Sequence, residues 1–252
     1  MTVAGKTIAI TGAARGLGQE FARHLAALGA NIVAGDINDC AATIELVKSA
    51  GGEGIAVRLD VTDPGSAQAM IAAGIDAFGG LHGLVNNAAL YGALHGGRFD
   101  AIAEAEWDAC MAVNVKGIWN CCKAAVAAMR QAGGGSIVNI ASLAATYGMP
   151  FGLHYTASKA AVIGITRGLA RELGRDNIRV NALAPSAVLT EGTNEFFGDK
   201  LDRALQAVKA QQTIQRNLVP ADLAGTMAWL LSDDSAFITG QTIAIDGGTV
   251  ML

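Results

Sequence analysis

The segment Tyr155-Thr156-Ala157-Ser158-Lys159 sets a phenol and an ammonium at positions i and i+4, the spacing that places two side chains on one face of a helix. A phenol with its ordinary pKa near ~10 exchanges protons poorly at neutral pH, and a cation one turn away favours the phenolate. The pair could therefore hold and move a proton, although a solvated helix face often carries the same two residues. Ser142 ends the run Ser136–Ser142 and precedes this helix, so its hydroxyl can point into the same crevice and hold a carbonyl oxygen. Asn114, in Met111-Ala112-Val113-Asn114-Val115-Lys116, interrupts a long apolar helix; its amide bends that helix, holds a water or is buried for structural reasons.

A second set of residues suits a nucleotide. Thr11-Gly12-Ala13-Ala14-Arg15-Gly16-Leu17-Gly18 joins the apolar run Thr7–Thr11 to the helix that begins at Gln19. Glycines at 12, 16 and 18, with Leu17 between the last two, let the backbone approach a pyrophosphate. Free N–H groups and the helix dipole would meet its charge, though tight strand–helix turns also use glycine on steric grounds alone. Asp36 ends the next strand, where a carboxylate accepts hydrogen bonds from both adenosine ribose hydroxyls and repels a 2′-phosphate. Arg15 pulls the other way, since a cation in the glycine loop can meet that phosphate. An unneutralised carboxylate against a phosphate outweighs one exposed arginine, so the expected cofactor is NAD. Asp60, in Leu59-Asp60-Val61, can accept from the adenine amino group, with Val61 beside it, or can serve as a helix cap or turn residue. Asn86-Asn87-Ala88-Ala89 ends the fourth strand where the dinucleotide would pass, and its amides could also tie neighbouring strands.

Both sets need a scaffold that brings residues far apart in sequence to one crevice. Short β-branched runs alternate with longer Ala/Leu-rich segments of helical period: Thr7–Thr11 then Gly16–Leu28, Asn31–Asp36 then Cys40–Ala50, Gly54–Asp60 then Gly65–Phe78. The pattern continues through Gly83–Asn87, a helix over Glu104–Gln131, Ser136–Ser142, a helix from about Tyr155 to Arg175, Ile178–Leu183 and Gln241–Asp246. Nearly continuous apolar strands, each followed by a crossover helix, belong to a parallel sheet covered on both faces, hence a doubly wound α/β domain spanning 1–252. The segment Ser186–Leu218 interrupts this with two short helical stretches, Glu191–Phe197 and Lys200–Gln212, and reads as a substrate lid.

With 252 residues, 52% hydrophobic and 16% charged, the chain is globular rather than disordered. Its net charge of −4, from 18 basic and 22 acidic residues without a Lys/Arg stripe, excludes nucleic acid as the expected partner. Cys40, Cys110, Cys121 and Cys122 lack paired C-x-x-C spacing, and His24, His82, His95 and His154 show no metal-ligand spacing, so no metal is expected. Met1–Lys6 lacks a basic head and apolar stretch, and no apolar run approaches the ~18 residues that span a bilayer. With cysteines read as reduced and partly buried, a cytoplasmic location away from membranes is expected.

Taken together and in order, these residues resemble the short-chain dehydrogenase/reductase family over nearly the whole chain. The resemblance implies a Rossmann-type sheet of seven parallel strands in the order 3-2-1-4-5-6-7. The family pattern T-G-x-x-x-G-x-G falls on Thr11, Gly12, Gly16 and Gly18, and Asn-Asn-Ala-Gly on Asn86, Asn87 and Ala88. The family's catalytic Asn, Ser, Tyr and Lys fall on Asn114, Ser142, Tyr155 and Lys159. Pro-Gly-x-Val-x-Thr, which in the family clamps the nicotinamide carboxamide, here reads Pro185-Ser186-Ala187-Val188-Leu189-Thr190, so Val188 and Thr190 inherit that contact. Ala89 and Ser186 stand where the family has glycines, so the backbone at both places must tolerate a Cβ.

What this implies is reversible oxidation of a secondary alcohol to a ketone by NAD. Tyr155 acts as general base, Ser142 positions the oxygen, Lys159 lowers the phenol pKa and binds the nicotinamide ribose, and Asn114 holds a water. Leu90, Tyr91, Leu94, Leu143, Tyr147, Phe151, Phe196 and Phe197 would wall the substrate pocket, which favours a hydrophobic, aryl or cyclic substrate. For Phe196 and Phe197 the other reading is packing of the lid on the body. A 3-oxoacyl thioester reductase of the acyl-carrier-protein type is the alternative, weakened by Asp36 because biosynthetic reduction usually draws on NADPH. A Ser142–Tyr155–Lys159 acyl-transfer enzyme would leave the glycine loop idle. A non-catalytic nucleotide sensor would normally have lost the tyrosine or the lysine. The resemblance further implies a homotetramer or homodimer built through the two long helices.

Overall fold

The computed structural model describes residues 2–251. Seven strands, β1 (Thr7–Thr11), β2 (Asn31–Asp36), β3 (Gly54–Arg58), β4 (Gly83–Asn86), β5 (Gly135–Ile140), β6 (Ile178–Pro185) and β7 (Thr242–Ile245), form one sheet. Its order is β3-β2-β1-β4-β5-β6-β7, with parallel pairing throughout. The helices are α1 (Gly16–Ala27), α2 (Ala41–Ser49), α3 (Pro64–Phe78), α4 (Glu104–Met111), α5 (Gly117–Gln131), α6 (Ala144–Tyr147), α7 (Leu153–Leu173), α8 (Glu191–Phe197), α9 (Leu201–Gln211) and α10 (Ala221–Leu231).

Alternation along the strands feeds two cores, because successive side chains leave opposite faces of the sheet. Ile8 and Ile10 of β1 join Ile32, Val85 and Val138 against α1, α2 and α10, where Phe21, Val47 and Met227 are buried. Ala9 joins Val33, Leu84 and Ile137 on the other face, against Met70 of α3, Cys121 of α5 and Val162 of α7. Each fully buried aliphatic side chain contributes roughly 1.5–3 kcal/mol. The parallel ladders pair the strand backbone at the same time, so this burial carries little offsetting cost from unsatisfied peptide groups.

The order reverses between β1 and β4, so the loops leaving their carboxyl ends splay apart and open a crevice there. That crevice is where the chain delivers its polar residues.

Several boundaries differ from the sequence expectation, among them β5, which ends at Ile140 before Ser142, and four with identifiable local reasons. β3 stops at Arg58 because Asp60 folds back as a turn, its Oδ1 accepting from Thr62 N at 2.9 Å and Thr62 Oγ1 at 2.7 Å. The helix expected over Glu104–Gln131 is broken by a π-turn at Ala112–Lys116 centred on Asn114. The helix carrying Tyr155 begins at Leu153, two residues early, and ends at Leu173. β6 runs on through Pro185, which pairs with Ile245 of β7. The short helix α6 has no counterpart in the sequence expectation, since four residues are too few to establish a period.

Candidate active site

Strand ends and helix starts define the crevice. The β1–α1 turn holds Gly12 at φ +66° and Gly16 at φ +59°, values that L side chains rarely adopt. A Cβ on Gly12 would stand 2.8 Å from Ala88 Cα, and one on Gly18 would collide with the Gly12 carbonyl oxygen and sit 2.7 Å from Asn87 Nδ2. Gly18 thus serves close packing inside the turn and does not line the cavity, whereas Gly12, Gly16 and Leu17 do. Gly18→Ala is expected to destabilise by about 1–3 kcal/mol through overpacking. Dinucleotide affinity should fall with it, checked by a urea melt beside a fluorescence titration.

Asn87 ties this turn down. Its Nδ2 donates to Thr11 O at 3.0 Å and Gly12 O at 2.9 Å, while its backbone N–H donates to Thr11 Oγ1 at 3.0 Å. Asn86 Nδ2 donates to Asn139 Oδ1 at 2.8 Å, one strand over, and is buried. The strand-tying reading therefore holds for both amides, and Asn87 and Ala88 additionally line the cavity.

Asp36 accepts from Ala14 N at 3.0 Å with one oxygen and from Asn38 N at 2.9 Å with the other, joining the glycine loop to the β2–α2 turn. Asp36, Asp60 and Val61 all line the cavity. The Thr62 hydrogen bonds hold the Asp60 carboxyl below the usual carboxylate range.

The cavity, of about 770 Å³, continues to Ser142, Tyr155 and Lys159 at the ends of β5 and α7. Lys159 is buried and its Nζ donates to Ile140 O at 2.8 Å; the ammonium lies 5.7 Å from the Tyr155 ring centroid. Burial lowers its pKa from 10.5 to about 8. Burial pushes the Tyr155 phenol well above its ordinary value, and a hydrogen bond with Ser142 pulls it partly back. Low dielectric penalises both charges at once, which raises the phenol and lowers the ammonium.

Asn114 sits in the π-turn between α4 and α5. It is fully buried and does not line the cavity. Its Oδ1 accepts from Leu90 N at 2.7 Å, and its Nδ2 donates to Leu90 O at 3.1 Å and Ser158 Oγ at 3.1 Å. The amide ties the loop after β4 to α7, the structural reading, and stands at the centre of the π-turn.

Of the expected pocket walls, Leu90, Tyr91, Leu143, Tyr147 and Phe197 line the cavity, as do Pro185, Val188 and Thr190. The Val188 carbonyl already accepts from Thr193 Oγ1 at 2.6 Å, and Thr190 Oγ1 caps α8 by accepting from Thr193 N at 3.3 Å. Phe151 is 66% exposed at φ +60° and lies outside the cavity. Leu94 is buried away from it. Phe196 also lies outside, stacked on Tyr91 at 4.7 Å between ring centroids; Tyr91 in turn lies 4.9 Å from the Tyr155 ring. Met149 lines the cavity without any sequence signal, because the loop that carries it has no period to reveal which side chains turn inward.

The segment 186–218 closes on itself at its base, where Val188 bridges Leu218 and Leu189 N donates to Leu218 O at 2.9 Å. Its side chains reach across the crevice. Arg15 of the glycine loop forms a two-pronged ion pair with Glu195 of α8, Nη2 to Oε2 at 2.8 Å, and the carboxylate holds the guanidinium above its usual range. Among the described residues no helix is long and apolar enough to cross a membrane.

A parallel sheet in this order, a glycine-lined turn at its switch point and a Tyr–Lys helix on the crevice define a Rossmann-type oxidoreductase. A family model described as enoyl-(acyl carrier protein) reductase matches residues 12–250. The chain is 35% identical over 249 residues to the 3-oxoacyl-[acyl-carrier-protein] reductase FabG of Staphylococcus aureus, covering 98% of each chain. It is 38% identical over 253 residues to a 3-alpha-(or 20-beta)-hydroxysteroid dehydrogenase of Mycobacterium tuberculosis, covering 98% of this chain and 90% of that one. Among solved structures, carveol dehydrogenase from Mycobacterium avium in complex with NAD superposes with a TM-score of 0.92 at 30% identity, covering 98% of each chain. The chain belongs to the short-chain dehydrogenase/reductase family; of the solved structures similar to it, the carveol dehydrogenase holds NAD and one from Agrobacterium tumefaciens holds NADP.

Proposed function

We propose that this cleft interconverts a secondary alcohol and a ketone with NAD(H), and that Tyr155 transfers the proton. The observation that carries the proposal is the meeting of Ser142, Tyr155 and Lys159 in one cavity with the glycine loop and Asp36. The cradle fits a nicotinamide dinucleotide: positive-φ glycines at 12 and 16 leave backbone bare beside the α1 N-terminus, and Asp36 stands at the end of β2. When bound, the nicotinamide supplies the hydride exchange. Ser142 polarises the carbonyl oxygen. Tyr155 gives that oxygen its proton in reduction and takes it back in oxidation. Lys159, buried beside the phenol with its pKa near the working range, stabilises negative charge on the tyrosine and would hold the nicotinamide ribose.

Two substrate classes have support. The aromatic wall of Tyr91, Tyr147 and Phe197 suits a cyclic or aryl alcohol, in line with the relatives named carveol and hydroxysteroid dehydrogenase. The staphylococcal relatives named 3-oxoacyl-[acyl-carrier-protein] reductase favour a 3-oxoacyl thioester, and the comparisons weigh more heavily on this side. An assay pairing NADH and NADPH with a 3-oxoacyl thioester and with cyclic ketones separates them. The class with the higher kcat/KM is the substrate class, and turnover of neither would defeat the proposed activity.

The segment 186–218 serves as the lid of this site in the same proposal. Association into a dimer or tetramer through α5 and α7 also belongs to it. Trp119 is 50% exposed on α5, and Gly164 and Gly168 open onto empty space along α7, surfaces suited to close helix packing.

A further inference from the structure

We infer that Glu195 is a specificity-determining residue for the dinucleotide, because it holds Arg15 in the lid contact and so withholds from the cleft a cation able to neutralise a 2′-phosphate. The inference rests on the reading of this cleft as an NAD site and explains how an arginine in the glycine loop coexists with that reading.

Arg15 and Asp36 both line the cavity, and the Asp36 carboxylate is near enough to raise the guanidinium pKa, although less than Glu195 does. A free Arg15 would therefore offset the repulsion that Asp36 exerts on a phosphate at the ribose. The guanidinium instead directs both prongs at Glu195, the fork geometry that matches a carboxylate best.

This is a seated pairing, fixed from two sides. The Glu195 carboxylate lies against the bare backbone of Gly92, where a Cβ would collide with Oε2. The next residue, Phe196, is stacked on Tyr91 at 4.7 Å, which anchors α8 in the position that presents Glu195 to Arg15. Three segments thus meet at one carboxylate: the glycine loop, the loop after β4 and the lid helix. Both partners are about half exposed, so the pair adds little to stability, and its consequence falls on which anions Arg15 can meet.

Dissociation constants for NAD and NADP, measured by intrinsic fluorescence on the full chain, test this. Glu195→Gln is expected to lower the ratio Kd(NADP)/Kd(NAD) by about 3- to 10-fold, an effect that shrinks at high salt as an exposed phosphate contact should. Gly92→Ala, which displaces the carboxylate without removing its charge, should move the ratio the same way. Arg15→Gln/Glu195→Gln should show none of the gain, since the liberated cation is gone. A wild type that binds NAD while Glu195→Gln leaves the ratio unchanged overturns this inference alone, as does an equal gain in the double variant. A wild type that prefers NADP overturns it together with the NAD assignment. Binding of neither dinucleotide to the wild type overturns the cofactor reading of the cleft itself.

Discussion

Tyr155→Phe is expected to lower kcat by about 10²–10⁴-fold while dinucleotide affinity stays close to wild type. The substitution deletes one hydroxyl and keeps the ring, so the contact with Tyr91 at 4.9 Å persists and α7 has no reason to shift. Single-turnover kinetics beside a binding titration check it, and turnover within ten-fold of wild type would remove Tyr155 from the proton-transfer role. The raised phenol pKa adds a direction to the test. Burial keeps the hydroxyl protonated at neutral pH, which is the form that donates to a carbonyl oxygen and so favours reduction. Oxidation needs the phenolate; its rate should climb as pH rises through the alkaline range while the rate of reduction falls. Neither trend should survive in Tyr155→Phe.

Lys159→Met is expected to lower kcat by at least about 10²-fold and, separately, to flatten the dependence of stability on pH. In the folded chain the ammonium has a pKa of about 8, against 10.5 for the exposed group. Between those values the unfolded chain binds a proton that the folded chain does not, so wild-type stability rises with pH across that window. Below pH 8 both states are protonated and the folded state bears the full cost of the buried charge, on the order of 3 kcal/mol. Methionine removes that cost but leaves the Ile140 carbonyl without its 2.8 Å donor, a loss of about 1–3 kcal/mol. At pH 7 the two effects nearly cancel. The difference in unfolding free energy between wild type and Lys159→Met should therefore move in favour of wild type by on the order of 3 kcal/mol from pH 7.5 to 10.5. Parallel curves would show that Lys159 is not a cation confined by burial.

Residues whose role follows from local spacing are legible in the amino-acid order. The i, i+4 relation of Tyr155 and Lys159 survives a helix that starts two residues earlier than expected, because both still fall on one face. The glycine turn and Asp36 need only the strand–helix boundary that follows them. Gly18 reads as a cofactor contact and is instead a packing residue, because sequence cannot say whether a missing side chain makes room for a ligand or for the chain's own carbonyl. Asn114 shows the same limit: an amide inside an apolar helix has several uses, and only the position of Leu90 and Ser158 selects among them. Phe196 and Phe197 are neighbours with opposite destinations, one stacked on Tyr91 and one lining the cavity, a choice made by the angle at which α8 lands.

The alternation of apolar strands with crossover helices, the phenol–ammonium pair and the carboxylate that ends β2 are properties of short stretches, and the order of residues alone determined them, since hydrophobic period and hydrogen-bonding capacity act over a few residues. The partners of Arg15, Asn114 and Lys159 lie 180, 44 and 19 positions away. Only the tertiary structure decided them, because a charge or amide in a cleft takes its energy from whatever group stands within about 3 Å, and chain order does not encode that distance.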